Sequence, residues 1–581
     1  MTRKNDAGTK THLLALTLVT AVVGLPIIAG RVLSGQDIVN YLIIAQQTAA
    51  NFREGALLPA WAGGFNAEYG SPLLVFFPPL TGTVNAIPVL LGFPVINGVC
   101  SLTLVAHLLS GLAAYGWLRA GGARHAALPA AVVYMVAPYR LVDIYLRSAL
   151  AENWAFIWPP LILWVGSDPR LRSIPRISLL ALLVAALLLT NIPLAILFGI
   201  GISAWLVASK RVRRKRLQIV AGAALGFGIA AFMLVPQALA PLFLNLDVCF
   251  GPASKGLRPS ANTLFSAGFE VWNLNTLFSL MLLSTFALIV LAYVLLSTES
   301  RKGTTQRGVI TAALLCVFVT LGPVGPVWDA LPILSKLQFP WRITSLLTLL
   351  AAGIVARLEL RRAWLVAAVA VLVTVPFSGW DRTVPRSTFF SQEPQIQRPG
   401  TVLPDPHTAW EAGSGGWYWR HENLVELCLL PKSMQPFMFD EFRGRPSSRL
   451  NRIRHRPAVV LQDPSAIVRV VEWGQVAREI EVATALGGTL MWRVLWFPGM
   501  EVSVDGLEVE TFRDSTTGLT AHRLSPGLHV ARWSWRPFPA LRISRWISLA
   551  ALALMVVIAL VGFSAAGRQW RSRFRDQPGS K

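Results

Sequence analysis

Apolar and polar stretches alternate along this chain on the length scale of a membrane. Long apolar runs occupy residues 13–29, 180–206 (in two pieces), 219–244, 277–296 and 364–377. Each approaches the ~20 apolar residues that a helix needs to cross ~30 Å of hydrocarbon. The first run lacks a small-x-small cleavage pattern before the polar sequence that follows, so it reads as a retained span. Then comes DIVNYLIIAQQTAANFREGALLPAWAGGFNAEYGSPLLVFFPPL, residues 37–80. Its first part has amphipathic helical spacing, and 59–70 is a bend rich in Trp, Gly and Pro. Ordinary connections rarely exceed ~12–15 residues, so a polar interruption of this length points to function. Its aromatic content argues against disorder.

Residues 379–541 differ in kind, being richer in charge, Pro and Gly. Apolar alternation with a period of two predicts strands over 466–472, 479–485, 491–497 and 528–535, with turns at Pro498-Gly499 and Asp505-Gly506. A β-sandwich-like domain tethered by spans follows.

Composition places the whole chain among membrane proteins: 54% of residues are hydrophobic and 14% charged. The net charge of +23 does not indicate nucleic acid. Much of the excess lies in short clusters beside the spans: Arg3, Lys4 and Lys10; Arg170, Arg172 and Arg176; 210–216; Arg301, Lys302 and Arg307; Arg357, Arg361 and Arg362; and 568–575. That is the positive-inside pattern, with anionic membrane lipids as the partner. Placing these clusters in the cytoplasm puts 140–153, 190–193, 245–272, 322–342 and 379–541 outside, together with the loop 31–71. In 72–118 two apolar stretches split near Gly92 to Pro94 leave room for one crossing, so either one of them is re-entrant or interfacial or the basic-loop rule fails in this stretch. The four cysteines, Cys100, Cys249, Cys316 and Cys428, have no metal-ligand spacing. Cys249 and Cys428 both fall outside, where pairing is open to them.

The expected architecture is a polytopic α-helical membrane protein of about 12–13 spans, with an extracytoplasmic β-rich domain before the last one. Residues 1–378 form the multi-span domain, 379–541 the β-sandwich-like domain, and 542–581 the final span and a basic cytoplasmic tail.

This topology gathers four polar clusters on one side. They are Asp37 with Glu54 and Glu68; Arg140, Asp143, Arg147, Glu152 and Asn153 in PYRLVDIYLRSALAENWAF; Asn191 in a tight connection between two spans; and Lys336, Gln338, Trp341 and Arg342 in LPILSKLQFPWRIT. Asp143 and Arg147 stand at i, i+4 and share a face if helical. Charges at a membrane boundary are costly unless paired or functional. Bland readings stand beside each: Asp37 as a helix N-cap, Arg147 in a structural ion pair, Trp341 and Arg342 as an interfacial anchor, Asn191 as a span terminator.

The strings DIVNYLIIAQ…LPAWAGGFNAEYGSPLLVFFPPL, APYRLVDIYLRSALAENWAF, LTNIPLA and LPILSKLQFPWR occur in an order that resembles the bacterial pyruvoyl-tetrahydropterin-synthase-related membrane protein family, over roughly residues 10–360. Its architecture is similar to the GT-C class of integral membrane glycosyltransferases, and no pterin chemistry is implied. The later FPGMEVSVDG…LSPGLHVARW resembles the outer β-domain of a related family that includes lipoteichoic-acid-glycosylating members. The resemblance implies a polyprenyl-phosphate-linked sugar as donor and transfer to an envelope glycan or lipid on the outer face of a bacterial inner membrane. It implies Asp37 as general base or metal-linked acid and Arg147 and Arg342 as holders of the donor phosphate. In the expected mechanism Glu152 orients Arg147, Asn191 and Gln338 contact sugar or linker, and Glu68 and Asp143 join the substrate-binding set. Trp61 and Tyr69 suit either stacking on a sugar face or a core role. The chain departs from the family pattern in having Asn40-Tyr41 where a His is expected after the loop acid. No cofactor is certain, and a divalent metal ion stays open.

A non-catalytic scaffold, or a protein that binds or exports lipid-linked glycan, is the competing class. A transporter fits less well, because no internal repeat is visible and the polar residues lie at one surface. A cytoplasmic nucleotide-sugar enzyme lacks a phosphate-cradling Gly loop here.

Overall fold

The computed structural model describes residues 2–63, 70–123, 125–244, 258–266, 274–298, 304–380, 383–385, 459–515 and 518–575. Glu68, Tyr69, Cys249 and Cys428 lie outside the described residues.

Among the described residues five helices are long and apolar enough to cross a membrane: Val95–Ala120, Ser173–Thr190, Asn275–Ser297, Leu360–Phe377 and Pro539–Val561. Three bent pairs raise the number to eight if each is one span. Shorter apolar helices cover Gly8–Val23, Ala231–Phe243 and Pro340–Val355. The chain is a multi-pass membrane protein. Where the sequence suggests about 12–13 crossings, the described residues hold fewer full-length helices, because several apolar stretches are short or broken. Pro138 shows why. A proline disfavours the α conformation at the residue before it, and Ala137 is extended (φ −54°, ψ 140°), so the chain bends by 46° between Ala127–Val136 and Pro138–Leu146. Between 72 and 118, Val95–Ala120 is the long helix. Its predecessor Pro79–Leu90 has 12 residues, about 18 Å of helix, too short to cross.

The β-rich region is a pair of antiparallel sheets. One has strand order β3-β6-β10-β9, built from β3 (Val459–Leu461), β6 (Gly488–Leu495), β9 (Thr511–Arg513) and β10 (Leu519–Leu524). The other has order β4-β5-β11-β7-β8, from β4 (Ile467–Trp473), β5 (Ala477–Thr484), β7 (Met500–Val504), β8 (Leu507–Val509) and β11 (Gly527–Trp535). The four strands expected from alternation are present with ends shifted by a residue or a few. Alternation is clearest in β5, where Arg478, Ile480, Val482 and Thr484 turn inward. At the β7–β8 turn Asp505 and Gly506 both have positive φ (52° and 80°), as a two-residue type I′ hairpin requires.

Aromatic packing joins the two parts. Phe497, fully buried, lies 6.4 Å from Trp61 of the first loop, 6.1 Å from Phe76, 5.8 Å from Phe243 and 6.1 Å from Phe538, ring centre to ring centre. Trp61 is itself completely buried and 6.1 Å from Trp533. Of its two anticipated roles, the core role is the one the packing supports, since a buried ring offers no face to a sugar. The loop folds back on Trp61 through a bridge between Ala62 and Ser71. Gly70 (φ +79°) permits this: a Cβ there would sit 2.5 Å from the indole.

Candidate functional site

The site is built on an irregular segment between Pro138 and Ala155. One helical turn, Pro138–Leu141, runs into a π-helical turn, Val142–Leu146, closed by the Arg147 N–H donating to the Val142 carbonyl at 2.9 Å. Ser148 has φ +50° and is followed by the short helix Leu150–Ala155. A π-turn next to a left-handed residue is backbone held against its preference, and such strain collects at functional sites.

This backbone converges three carboxylates on one guanidinium. Arg147 Nη1 lies 2.9 Å from Asp143 Oδ1 and 2.9 Å from Glu152 Oε2, and Nη2 lies 3.8 Å from Asp37 Oδ2. Glu152 is the pivot. Its Oε1 also accepts from Arg342 Nε at 3.0 Å, and its Oε2 accepts the Tyr139 hydroxyl at 2.5 Å. Arg342 donates from Nη1 to the Leu337 carbonyl at 2.7 Å. That carbonyl also accepts the Phe339 N–H at 2.6 Å, which makes Gln338 (φ +61°) the centre of a γ-turn. Trp341 lies under Arg147, 4.9 Å from its guanidinium, and its ring stacks with those of Phe278 and Phe339, ring centres 4.1 and 5.1 Å away. Its burial excludes the interfacial-anchor reading.

Burial separates the members. Asp143, Arg147, Glu152 and Arg342 are buried, whereas the Asp37 side chain is 39% exposed. Asp37 holds the N-cap position of the Ile38–Arg53 helix, yet its side chain makes no capping bond. Its backbone is fixed instead: Gln36 N–H donates to Leu146 O, Asp37 N–H to Arg147 O at 2.7 Å, and Gly35 N–H to Ser148 Oγ at 3.1 Å. Gly35 is required at this approach, because a Cβ would meet Ser148 Oγ at 2.4 Å. Just ahead, β1 (Arg31–Leu33) pairs antiparallel with β2 (Thr383–Pro385), and Arg31 Nε donates to Thr383 Oγ1 at 2.7 Å.

Other expected members lie elsewhere. Glu54 does not stand with Asp37. The two occupy opposite ends of the 16-residue Ile38–Arg53 helix, about 24 Å apart along its axis. Glu54 accepts the backbone N–H groups of Gln475 and Val476 at the β4–β5 turn, at 2.8–3.0 Å. Asn191 caps the Ile192–Ala208 helix, its Oδ1 accepting Leu194 N–H at 2.9 Å. Gln338 is half-buried and Lys336 exposed. Tyr139 is the member that sequence reasoning missed; it belongs to the PYR string, and a buried phenol needs a hydrogen-bond partner.

Chemically, the arrangement offers one solvent-reaching carboxylate at the rim of a buried network of arginines and acids. Among the described residues no three His, Cys, Asp or Glu side chains come together as a metal-ligand set. Asp143 and Glu152 are already bound to guanidinium groups, so the network does not fit a divalent ion.

No protein-family model and no curated protein matches the chain. Two solved structures are similar to it: the arabinofuranosyltransferase AftD from Mycobacteria and a mutant form of AftD, each 16% identical with a TM-score of 0.40. The likeness covers 63% of this chain and 26% and 27% of theirs, so the chain spans about a quarter of their length.

Proposed function

We propose that this protein is a membrane glycosyltransferase that moves a sugar from a polyprenyl-phosphate donor to an envelope glycan or lipid on the outer face of a bacterial inner membrane. The observation that carries this reading is the half-exposed Asp37 carboxylate, held beside a buried arginine network at the foot of the first loop. Asp37 takes the proton of the acceptor hydroxyl as that oxygen bonds to the anomeric carbon. The bond from that carbon to the phosphate oxygen breaks, and the polyprenyl phosphate leaves with the electron pair. Arg147 Nη2, beyond hydrogen-bond distance of Asp37 at 3.8 Å, is the donor best placed for a phosphate oxygen. Arg342 acts through Glu152, which fixes both guanidinium groups. The β-rich region, docked on the far end of the first loop, guides the acceptor.

A second reading has an observation of its own. Both arginines are bound to Glu152, which favours a scaffold that binds or exports lipid-linked glycan without transfer. Membranes containing the wild-type chain, given radiolabelled polyprenyl-phosphate sugars, test the two. Labelled acceptor product with the wild type and none with Asp37→Asn at equal protein level is the expected result. Retained transfer in Asp37→Asn removes Asp37 from the mechanism. Saturable donor binding without product in the wild type selects the scaffold.

A further inference from the structure

Arg140 is completely buried in the helical bundle and has no part in the transfer scheme. Among the described residues no carboxylate lies within salt-bridge distance of it. Its Nη2 donates to Ser110 Oγ at 2.8 Å and meets His107 Nδ1 at 3.3 Å, its Nη1 donates to the Asn153 carbonyl at 3.3 Å, and its guanidinium lies 4.2 Å from the Phe156 ring. Asn153 Nδ2 in turn donates to the Thr103 carbonyl at 2.9 Å. Thr103, His107 and Ser110 stand at i, i+4 and i+7 of the Val95–Ala120 helix, so they form one polar stripe facing Arg140 and Asn153.

Four atoms here have no hydrogen-bond partner among the described residues, three in this seam (Arg140 Nε, His107 Nε2 and Asn153 Oδ1) and one on Asp143, three residues beyond Arg140 (Oδ2), all in side chains with 0% exposure. Their chemistry identifies what satisfies them. Arg140 only donates, so His107 accepts at Nδ1 and carries its proton at Nε2. The set therefore holds two donors, Arg140 Nε and His107 Nε2–H, and two acceptors, Asp143 Oδ2 and Asn153 Oδ1. An anion would leave the acceptors unmet, and a cation would leave the donors unmet and sit beside Arg140. Charge calls for neither, since Arg140, Arg147 and Arg342 balance Asp37, Asp143 and Glu152. Water both donates and accepts, and buried water characteristically bridges otherwise unsatisfied polar groups.

We infer that buried water occupies this seam and forms a hydrated track from Asp143 at the edge of the arginine network to His107 inside the bundle. The track keeps the Arg140 charge solvated away from bulk water. It needs no transfer activity and stands whether or not the transfer reading does.

X-ray radiolytic hydroxyl footprinting of the full chain in lipid nanodiscs tests it, because radicals formed at bound water oxidise the side chains around it. Tyr139 and Phe156 flank the seam; Tyr145 and Phe497 are as completely buried and serve as references of the same chemistry. Tyr139 and Phe156 should be oxidised several-fold faster than their references, and His107→Leu should slow them. Equal rates for the two pairs in the wild type overturn the inference, whether or not His107→Leu folds.

Discussion

Glu152 and Arg342 are 190 positions apart in the chain, and Arg342 Nε lies 3.0 Å from Glu152 Oε1. The other oxygen of the same carboxylate binds Arg147 at 2.9 Å. Glu152 thus ties the irregular 138–155 segment to the turn before the Thr344–Val355 helix. With Glu152 removed, two guanidinium groups stay buried with part of their compensation lost. Glu152→Ala should destabilise the protein by about 3–5 kcal/mol, read as a lowered thermal midpoint in detergent or nanodiscs. An unchanged midpoint would show that the bridge is not structural.

Asp37 predicts a different signature, because it is partly exposed and its helix is held by backbone bonds. Asp37→Asn should leave the thermal midpoint near that of the wild type and lower transfer by roughly 10²–10⁴-fold, the usual contribution of a general base. A large loss of stability would make Asp37 a structural partner of Arg147 instead.

Gly35 gives a positional control for the same carboxylate. Gly35→Ala places a methyl against Ser148 Oγ and Ser148 N, at 2.4 and 2.7 Å, so the loop must shift. Transfer should fall although Asp37 is intact. Wild-type rates in Gly35→Ala would mean that the Asp37 position is not critical.

The junction with the β-rich region rests on Trp61 and Glu54. Trp61→Ala should cost about 3–5 kcal/mol, as for other buried aromatic truncations. The partner variant Glu54→Ala leaves the Gln475 and Val476 N–H groups without their acceptor. Both residues hold one loop to one sandwich, so a double-mutant cycle on unfolding should give a coupling of at least ~0.5 kcal/mol. Strict additivity would separate the two contacts.

Two histidines of the β-rich region predict opposite pH responses. His529 Nδ1 lies 2.7 Å from Asp505 Oδ2, and that hydrogen bond raises the imidazole above its ordinary 6.5 while lowering Asp505 below 3.8. The stabilisation from His529 is fully present below 6.5 and is lost as pH rises through its raised value; that from Asp505 is present above 3.8 and lost as pH falls through its depressed value. The stability difference between wild type and His529→Gln should therefore be largest from about pH 4 to about pH 6.5. His522 behaves in the reverse sense. Burial pushes its imidazole down to about 4, so it folds neutral, and its stabilisation is present above 6.5 and lost as pH falls toward 4. The loss amounts to about 3 kcal/mol, and His522→Gln should flatten this acid limb of the thermal midpoint. A limb of unchanged slope would remove His522 as its cause.

Local sequence pattern determined much of this protein: the apolar helices, the β-rich region with its four main strands and its Asp505-Gly506 turn, and the pairing of Asp143 with Arg147. These follow from periodicity, from turn chemistry and from side chains a few residues apart, all of which are local properties. Tertiary structure alone decided the rest. It put Asp37 and Glu54 at opposite ends of one helix, gave Glu152 two arginines, buried Trp61 in a core shared with the sandwich, and made Asn191 a cap. It also set Arg140 against His107. Each of these depends on which distant backbone segment arrives at a given face, and that is fixed by the packing of whole helices and sheets and by the need to pair every buried charge. A residue type and its neighbours carry no record of that arrival. The amphipathic helix at the start of the 37–80 stretch was legible in its spacing; which of the described side chains there reaches solvent and which anchors the fold was settled only by packing.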